Sequence, residues 1–482
     1  MAILKKIFLI SLILIFVAGG ILINQSNTSI KEVLKKELLP VVAASGENWW
    51  NTSFSNRIQI TFNNTNSTEN LTNFPILVVL NSTRINYSLT QDLGQDIRFV
   101  DADNITILPY EIELWNESNI SYVWVNVPQI DNGSTTDYIW MYYGNSTTGD
   151  AQNITGTWDA NYVGVWHLKE TDIDGGAGDI KDSTSNANNG TTSGMDGDDQ
   201  VAGEIDGSFD FDATDDNVNV GTLGNLGSSI ESNGLTMSAW IKTTNDNAIK
   251  YVGGGWSVST FIRGFGWTVH QSSVGSFSKG ATRIIMGNDI TASVKQVYYD
   301  GDANFYDGNW HYLTAVMPPS TTAGAIYLDG TALAGGTSGS PGTTSDFTRD
   351  FRIGARDNGE GSISGFWLGS IDEFRISNSV RSADWIEAEY HSQKDGFNTY
   401  GSSESQAADT CTYSSGNWAV LCSDNCVITS NIDLGGNNIT ITGTGTFRTT
   451  ANISNWKNLL IQGTSASNIC YVKTDSGGGF KE

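Results

Sequence analysis

The chain has 482 residues, of which 16% are charged, with Lys plus Arg 26 against Asp plus Glu 52 and a net charge of −26. That length suggests about three domains, and the excess of Gly, Ser, Thr and Asn suits turn-rich β structure better than helices. No basic patch is present to displace counterions, which excludes nucleic acid as a partner.

Lys5-Lys6 precede an apolar run from Ile7 to Ile23. This reads as a signal or anchor helix with the positive residues inside and the remainder exported. Ala43-Ala44-Ser45 offer small residues for cleavage but lie far beyond the run. Residues 1–45 are therefore taken as a retained membrane anchor with an amphipathic spacer from Ile30 to Val42, and secretion after cleavage is the alternative. No second apolar run is long enough to cross a bilayer.

Residues 46–150 read as a β-sandwich. Arg57 to Phe62 alternates with period two, as a half-buried strand does. Phe74 to Leu80 is apolar on both faces and is expected to be a central strand. Asp96–Val100 and Ile105–Trp115 flank Asp101–Asn104, a hairpin loop by its turn residues. Tyr122–Val127 and Tyr138–Tyr143 put small apolar residues on one face and Tyr or Trp on the other; that aromatic face is expected to be buried, with a sugar platform as the alternative. Glu111 and Glu113 share a strand face about 7 Å apart by strand rise. Twelve asparagines from Asn51 to Asn153 begin Asn-x-Ser/Thr, among them Asn63, Asn81, Asn86, Asn116, Asn119 and Asn145, a density that suits a glycosylated outer surface.

Residues 156–402 read as a second sandwich. Its irregular stretch 251–279 carries Trp256, Phe261, Phe265 and Trp267. If exposed, these rings would stack on the apolar C–H faces of sugars; if not, they fold inward. Strand 371–377 carries Asp372-Glu373. Strict alternation puts Asp372 with Phe374 and Ile376 on the core side and Arg375 on the other. Of the four histidines, His167 and His311 each follow a Trp within a strand, which suits packed, hydrogen-bonded side chains. No Gly-x-Ser-x-Gly elbow or phosphate-binding loop occurs. Asp300–Asn304 has the start of a calcium loop, but Phe305 stands where glycine is required.

Residues 405–482 hold all four cysteines, Cys411, Cys422, Cys426 and Cys470. Four cysteines allow three pairings, and disulfides are favoured over zinc because no Cys-x-x-Cys pair exists. Strands 428–432, 438–442 and 459–462 are spaced by Gly/Asn turns. This resembles the opening rungs of a parallel β-helix, which needs several stacked coils; ending at Glu482 after two or three implies a truncated chain.

Two resemblances rest on ordered motifs. Trp166-His167-Leu168, Gly207–Phe211, Asn309-Trp310-His311, Ile326–Gly330, Arg352-Ile353-Gly354 and Ile371–Ser377 followed by Arg381–Ile386 resemble a laminin-G-like, concanavalin-A-like jelly roll over about 156–400. Trp49-Trp50, Asp96–Phe99, Leu108–Glu113, Trp124-Val125 and Tyr142–Asn145 resemble an uncharacterised domain of archaeal and bacterial surface proteins over about 46–150. The first resemblance implies a binding or adhesion module and a structural Ca²⁺ between an early loop, at Asp182, and the last strand, at Asp372. Glycosidases on this scaffold use Glu-x-Asp-x-x-Glu, but here Glu204-Ile205-Asp206 is followed by Phe209 in place of the acid. The combined expectation is an all-β cell-surface or secreted glycoprotein that binds glycans or other surface components without catalysis. The alternatives are a surface-layer or stalk component, or an extracellular glycosidase cut short.

Overall fold

The computed structural model describes residues 21–24 and 49–481, apart from 224–225, 245–247, 258–262, 271–279, 288–293, 320–321, 340–348, 359–361, 407–409, 463–468 and 476. Most of the expected N-terminal helix and its spacer, and the Ala43-Ala44-Ser45 segment, lie outside the described residues. Of the apolar run only Ile21, Ile23 and the leucine between them are described. With Asn24 they form a short strand antiparallel to Asn458–Gln462 rather than a helix. Among the described residues no helix is long and apolar enough to cross a membrane. The chain is all-β, and residues 53–404 form one compact unit while 405–482 belong to another.

The first sandwich of the 53–404 unit has a sheet ordered Asn398–Tyr400, Asn56–Phe62, Tyr138–Tyr143, Arg98–Asp101, Ile107–Leu108. The last two strands are the expected hairpin around 101–104. It packs on a three-stranded sheet of Leu71–Leu80, Ser121–Ile130 and Tyr110–Leu114. Ile58, Ile60, Phe74, Ile76, Val78, Val123 and Val125 meet between the layers. Leu71–Leu80 is not central but at the edge of its sheet. It is apolar on both faces because its outer face, Leu77 and Val79, packs with Trp124, Trp158 and Tyr162. Its edge N–H groups are capped instead of paired with a strand: Leu77 donates to Ser392 Oγ at 2.8 Å and Val79 to Tyr400 Oη at 2.8 Å, which satisfies an edge that would otherwise invite pairing. On the aromatic faces Trp124, Trp140 and Tyr142 are buried, so the buried reading holds for them.

The second sandwich sets Gln200–Ala202, Gly207–Asp212, Leu368–Ser377, Leu235–Thr244, Asp307–Met317, Ala325–Leu328 and Thr331–Leu333 in one sheet, with Tyr162–Trp166 also paired to Leu368–Ser377. The opposing sheet runs Thr191–Ser193, Asn217–Asn219, Arg352–Ile353, Ile249–Ser257, Arg263–His270, Thr282–Gly287, Val294–Tyr299, Gly336–Ser338. Trp166, Phe209, Ile241, Trp267, Ile284, Ile371 and Phe374 fill the space between them.

One helix, Ala383–Gln393, joins the sandwiches. Ser382 caps it, accepting from Trp385 N at 3.0 Å, and Asp384 lies in its first turn. Trp385 and Ala388 enter the first sandwich's core, where Trp385 meets Phe74 edge-on with ring centroids 4.8 Å apart. The opposite side lies on the second sandwich, where Trp240 Nε1 donates to Gln393 Oε1 at 2.7 Å.

In the 405–482 unit three parallel ladders repeat. Trp418 lies opposite Ile439 and Ile439 opposite Leu459, Val427 opposite Arg448, and Ile432 opposite Ile453. Asparagines support successive strands, Asn458 Nδ2 donating to Asn438 Oδ1 at 2.9 Å and Asn438 N to Asn417 Oδ1 at 3.0 Å. Cys411 bonds Cys426 and Cys422 bonds Cys470, which selects one of the three pairings.

Candidate functional site

The charged residues that alternation places on outward strand faces converge instead on a buried seam between the sandwiches. Tyr110–Leu114 contributes Glu111 and Glu113, both 5% exposed, and the segment after Tyr162–Trp166 contributes His167, 3% exposed. Leu368–Ser377 contributes Glu373 and Arg375, and the joining helix contributes Glu389.

Glu373 reaches the seam through a break in its strand. Glu373 has φ 53°, and the pairing to the neighbouring strand slips between Ser238, opposite Arg375, and Trp240, opposite Asp372. This is a bulge, with an extra residue against the partner strand. Ile371 and Phe374 both face the core as a result. The expectation that Asp372 shares the face of Phe374 and Ile376, opposite Arg375, is corrected: the extra residue puts Asp372 on the outer side with Arg375.

His167 is the centre of the seam. Its Nδ1 is 2.5 Å from Glu373 Oε1 and 3.5 Å from Glu113 Oε2, and its Nε2 is 3.3 Å from Glu111 Oε1. Arg375 donates to Glu373 Oε2 at 2.5 Å and to Glu389 Oε1 at 2.8 Å. Its guanidinium lies 4.4 Å from the Trp124 ring and 4.9 Å from that of Trp158, within cation–π range. Trp124 Nε1 donates to Glu113 Oε2 at 2.5 Å, Trp158 Nε1 to Glu111 Oε2 at 2.9 Å, and Ser183 Oγ to Glu111 Oε1 at 2.7 Å. Lys169 Nζ donates to the Glu113 carbonyl.

These contacts set the protonation states. Burial opposes a charge on His167, but Glu373, Glu113 and Glu111 raise it well above the usual imidazole value. Burial also opposes ionisation of Glu373, yet His167 and Arg375 draw it down to about 2. Glu111, likewise buried, is held below the usual range by His167 and its hydrogen bonds. Glu113, buried beside Glu373, is pushed up to about 8. The seam therefore holds ionised Glu111 and Glu373 against cationic His167 and Arg375, with Glu113 carrying a proton. His167, Glu113 and Glu373 are close enough together to ligate a metal, but their charges are already compensated, and a divalent ion there would face Arg375 and Lys169.

Asp182 and Asp372 are not brought into one cation site. Asp182 Oδ1 accepts from Val165 N at 3.0 Å and Thr184 N at 2.9 Å, and its Oδ2 from Asn188 N at 2.8 Å and Thr184 Oγ1 at 2.9 Å. Asp372 Oδ2 accepts from Glu204 N at 2.9 Å and Ile205 N at 3.0 Å, leaving Oδ1 unpartnered. Neither belongs to any group of three or more clustered potential ligands among the described residues. Calcium requires six to eight oxygens, and these carboxylates face N–H donors, so the pair does not fit Ca²⁺. Burial and the neighbouring Glu373 hold Asp372 well above the usual carboxylate range.

The expected sugar-stacking rings also fall elsewhere. Phe265 and Trp267 lie in the core and Trp256 is buried against Tyr251, while Phe261 is outside the described residues. The reason is local: Trp256 and Phe265 lie on strands Ile249–Ser257 and Arg263–His270, which pair across the sheet and leave no irregular loop at those rings. His311 is hydrogen-bonded, 2.8 Å from Asp329 Oδ2 and 3.3 Å from Asp307 Oδ1.

An open feature that sequence reasoning missed is a polar cavity of about 170 Å³ between the 63–67 loop and the joining helix, lined by Asn64, Ser67, Asp384, Glu387, His391 and Phe397 among others. Asp384 is fixed there by Thr68, whose N–H donates at 2.6 Å and hydroxyl at 2.7 Å. Glu387 and His391 are half exposed, 4.0 Å apart. The volume is below the roughly 300–1,000 Å³ of sites for drug-sized ligands, which suits a small polar group. Nothing in the sequence pairs residue 64 with residue 391; only the helix's i, i+4 spacing of Glu387 and His391 was visible.

Residues 212–387 match the model of the concanavalin A-like lectin/glucanases superfamily, and residues 93–164 match that of a domain of unknown function (DUF2341). The two expected modules are present in the expected order. No curated protein matches the chain. Among solved structures, the chain is similar to the binding domain of botulinum neurotoxin serotype D, at 14% identity and TM-score 0.34, covering 48% of this chain and 52% of that one. It is also similar to the binding domain of Paraclostridial Mosquitocidal Protein 1, at 12% identity and TM-score 0.33, covering 48% and 52%. A third is Domain 4 of AbnA, a GH43 extracellular arabinanase from Geobacillus stearothermophilus in complex with arabinotriose, at 16% identity and TM-score 0.33, covering 48% of this chain and 98% of that domain. The chain thus spans about half the length of the toxin binding domains it matches, 52% in each case.

Proposed function

We propose that residues 53–404 form a non-catalytic recognition module, displayed outside the cell, that binds carbohydrate. The observation that carries the reading is the fate of the acids. The carboxylates that converge between the sandwiches, Glu111, Glu113 and Glu373, are buried and hydrogen-bonded, and the Glu204-x-Asp206 motif has Phe209 where a glycosidase needs its last acid, on a scaffold matching the concanavalin A-like lectin/glucanases superfamily. The ligand end we assign to the polar cavity, whose half-exposed Glu387 and His391 suit sugar hydroxyls. Export is supported by Lys5-Lys6 before the apolar run and by the two disulfides. The parallel ladders of 418–480 support the opening coils of a β-helix.

The test is a glycan array with the full chain, its Glu387→Ala and His391→Ala variants, and chelator in one arm. Binding to a defined glycan, lost on either substitution and indifferent to chelator, supports the reading. A chain that binds no glycan refutes it and favours a second reading, a rigid stalk segment, for which the buried fusion of the two sandwiches speaks directly.

A further inference from the structure

Five of the Asn-x-Ser/Thr asparagines lie on one rim of the first sandwich. The 81–91, 115–121 and 145–148 segments are tied together there: Gln91 Nε2 donates to the Asn145 carbonyl at 2.9 Å, Asn116 N to Ser121 Oγ at 2.8 Å, and the Tyr87 and Ser121 hydroxyls meet at 2.9 Å. At Asn81, Asn86 and Asn145 the same turn recurs. Asn81 Oδ1 accepts the Thr83 N–H at 2.9 Å and hydroxyl at 2.6 Å, Asn86 Oδ1 those of Ser88 at 3.2 and 2.8 Å, and Asn145 Oδ1 those of Thr147 at 3.2 and 3.0 Å. This is the Asx-turn that Asn favours, with the hydroxyl added. It engages the amide oxygen, and among the described residues no acceptor holds Nδ2.

The buried asparagines of the same sandwich do the opposite. Asn56 Nδ2 donates to Ser55 Oγ, Asn64 Nδ2 to the Asp131 carbonyl and Asn126 Nδ2 to the Thr157 carbonyl. None of the three begins Asn-x-Ser/Thr. The motif and the free surface amide thus coincide, and the hydroxyl the motif requires is the one bonded to Oδ1. That bond draws density from the amide and makes Nδ2 easier to deprotonate.

We infer that this rim is the chain's glycan-bearing surface, N-linked at Asn81, Asn86 and Asn145 and available at Asn116 and Asn119. This rests on the export part of the reading above. The reaction needs a sugar activated on a lipid phosphate and a membrane transferase. Nδ2 attacks the anomeric carbon, the C–N bond forms as the C–O bond to phosphate breaks, the lipid phosphate leaves, and one N–H proton passes to the transferase's base.

The full chain recovered from its own cells is digested and its peptides weighed, with the disulfide state read from the same digest. Sugar mass is expected on the peptides holding Asn81, Asn86 and Asn145, none on Asn56, Asn64 or Asn126. Thr83→Val removes the mass at Asn81 and Thr83→Ser retains it. A chain carrying both disulfides with all five rim asparagines bare overturns the inference while leaving export standing. A bare, fully reduced chain overturns export and the inference together.

Discussion

Replacing Arg375 by Met strips the seam of the guanidinium that bridges Glu373 and Glu389 while keeping length and packing. Glu373 and Glu389, with side chains 0% and 3% exposed, then lose their 2.5 and 2.8 Å donors. Leaving a buried charge uncompensated costs about 3–5 kcal/mol, and losing a desolvated cation–π contact with Trp124 and Trp158 adds about 1–2 kcal/mol. Each kcal/mol lowers the melting temperature of a large domain by about 2 °C, so Arg375→Met should shift the transition of the 53–404 unit by roughly 10 °C in scanning calorimetry of the full chain. Lys394→Met, which removes a partly exposed pair with Glu204, should move it by about 2 °C or less. Adding Glu373→Gln and Glu389→Gln to Arg375→Met should restore much of the loss, since no charge is then stranded. A shift for Arg375→Met no larger than for Lys394→Met would refute the reasoning.

The unit's stability should peak in mildly acidic solution. Native Glu113 holds its proton to about 8 and His167 holds its own well above the usual imidazole value, so each binds more protons folded than unfolded and stability falls as pH rises above about 5. Glu373, drawn to about 2, acts the other way, losing its contribution as pH falls from about 4.5; urea midpoints flat from about pH 5 to 9 would contradict the first statement, and midpoints flat from about pH 4.5 down to 2 the second. Asp372→Ala should lower the melting temperature equally with calcium and with chelator, because its Oδ2 is taken up by the Glu204 and Ile205 N–H groups and no cluster of ligands surrounds it among the described residues; a loss confined to calcium would restore the cation. Reduction should destabilise the 405–482 unit by about 4 kcal/mol through Cys422–Cys470 and about 3 kcal/mol through Cys411–Cys426, whose loops span 48 and 15 residues. Amide exchange unchanged across 418–480 after reduction would count against that.

What the sequence disclosed was periodicity, and what it concealed were contacts between segments far apart. Alternation located Arg57–Phe62 and the aromatic faces of 122–127 and 138–143, because burial on a pleated strand repeats every two residues. The same rule failed at Asp372, since a left-handed residue at Glu373 shifts the following side chains and Glu gives no glycine-like sign of it. Phe74–Leu80 looked central because two covered faces and two paired edges leave the same apolar signature; only Ser392 and Tyr400, some 315 residues on, reveal an edge capped by side chains. Glu111 and Glu113 were visible as a pair, but His167 and Arg375, which give them their states, come from the other sandwich. The disulfide pairing was open for the same reason: four spacings do not fix which cysteines the coils stack together.

The central claim is that the acids in the middle of this chain hold two sandwiches together while the module's surface binds and does not react. The direct test puts the full chain over a panel of immobilised and soluble polysaccharides, with retention and released reducing ends measured on the same samples. Retention of at least one polysaccharide with no new reducing ends is the result the account predicts. Release of reducing ends that disappears in Glu113→Gln or Glu373→Gln protein, shown by calorimetry to be folded, would contradict it.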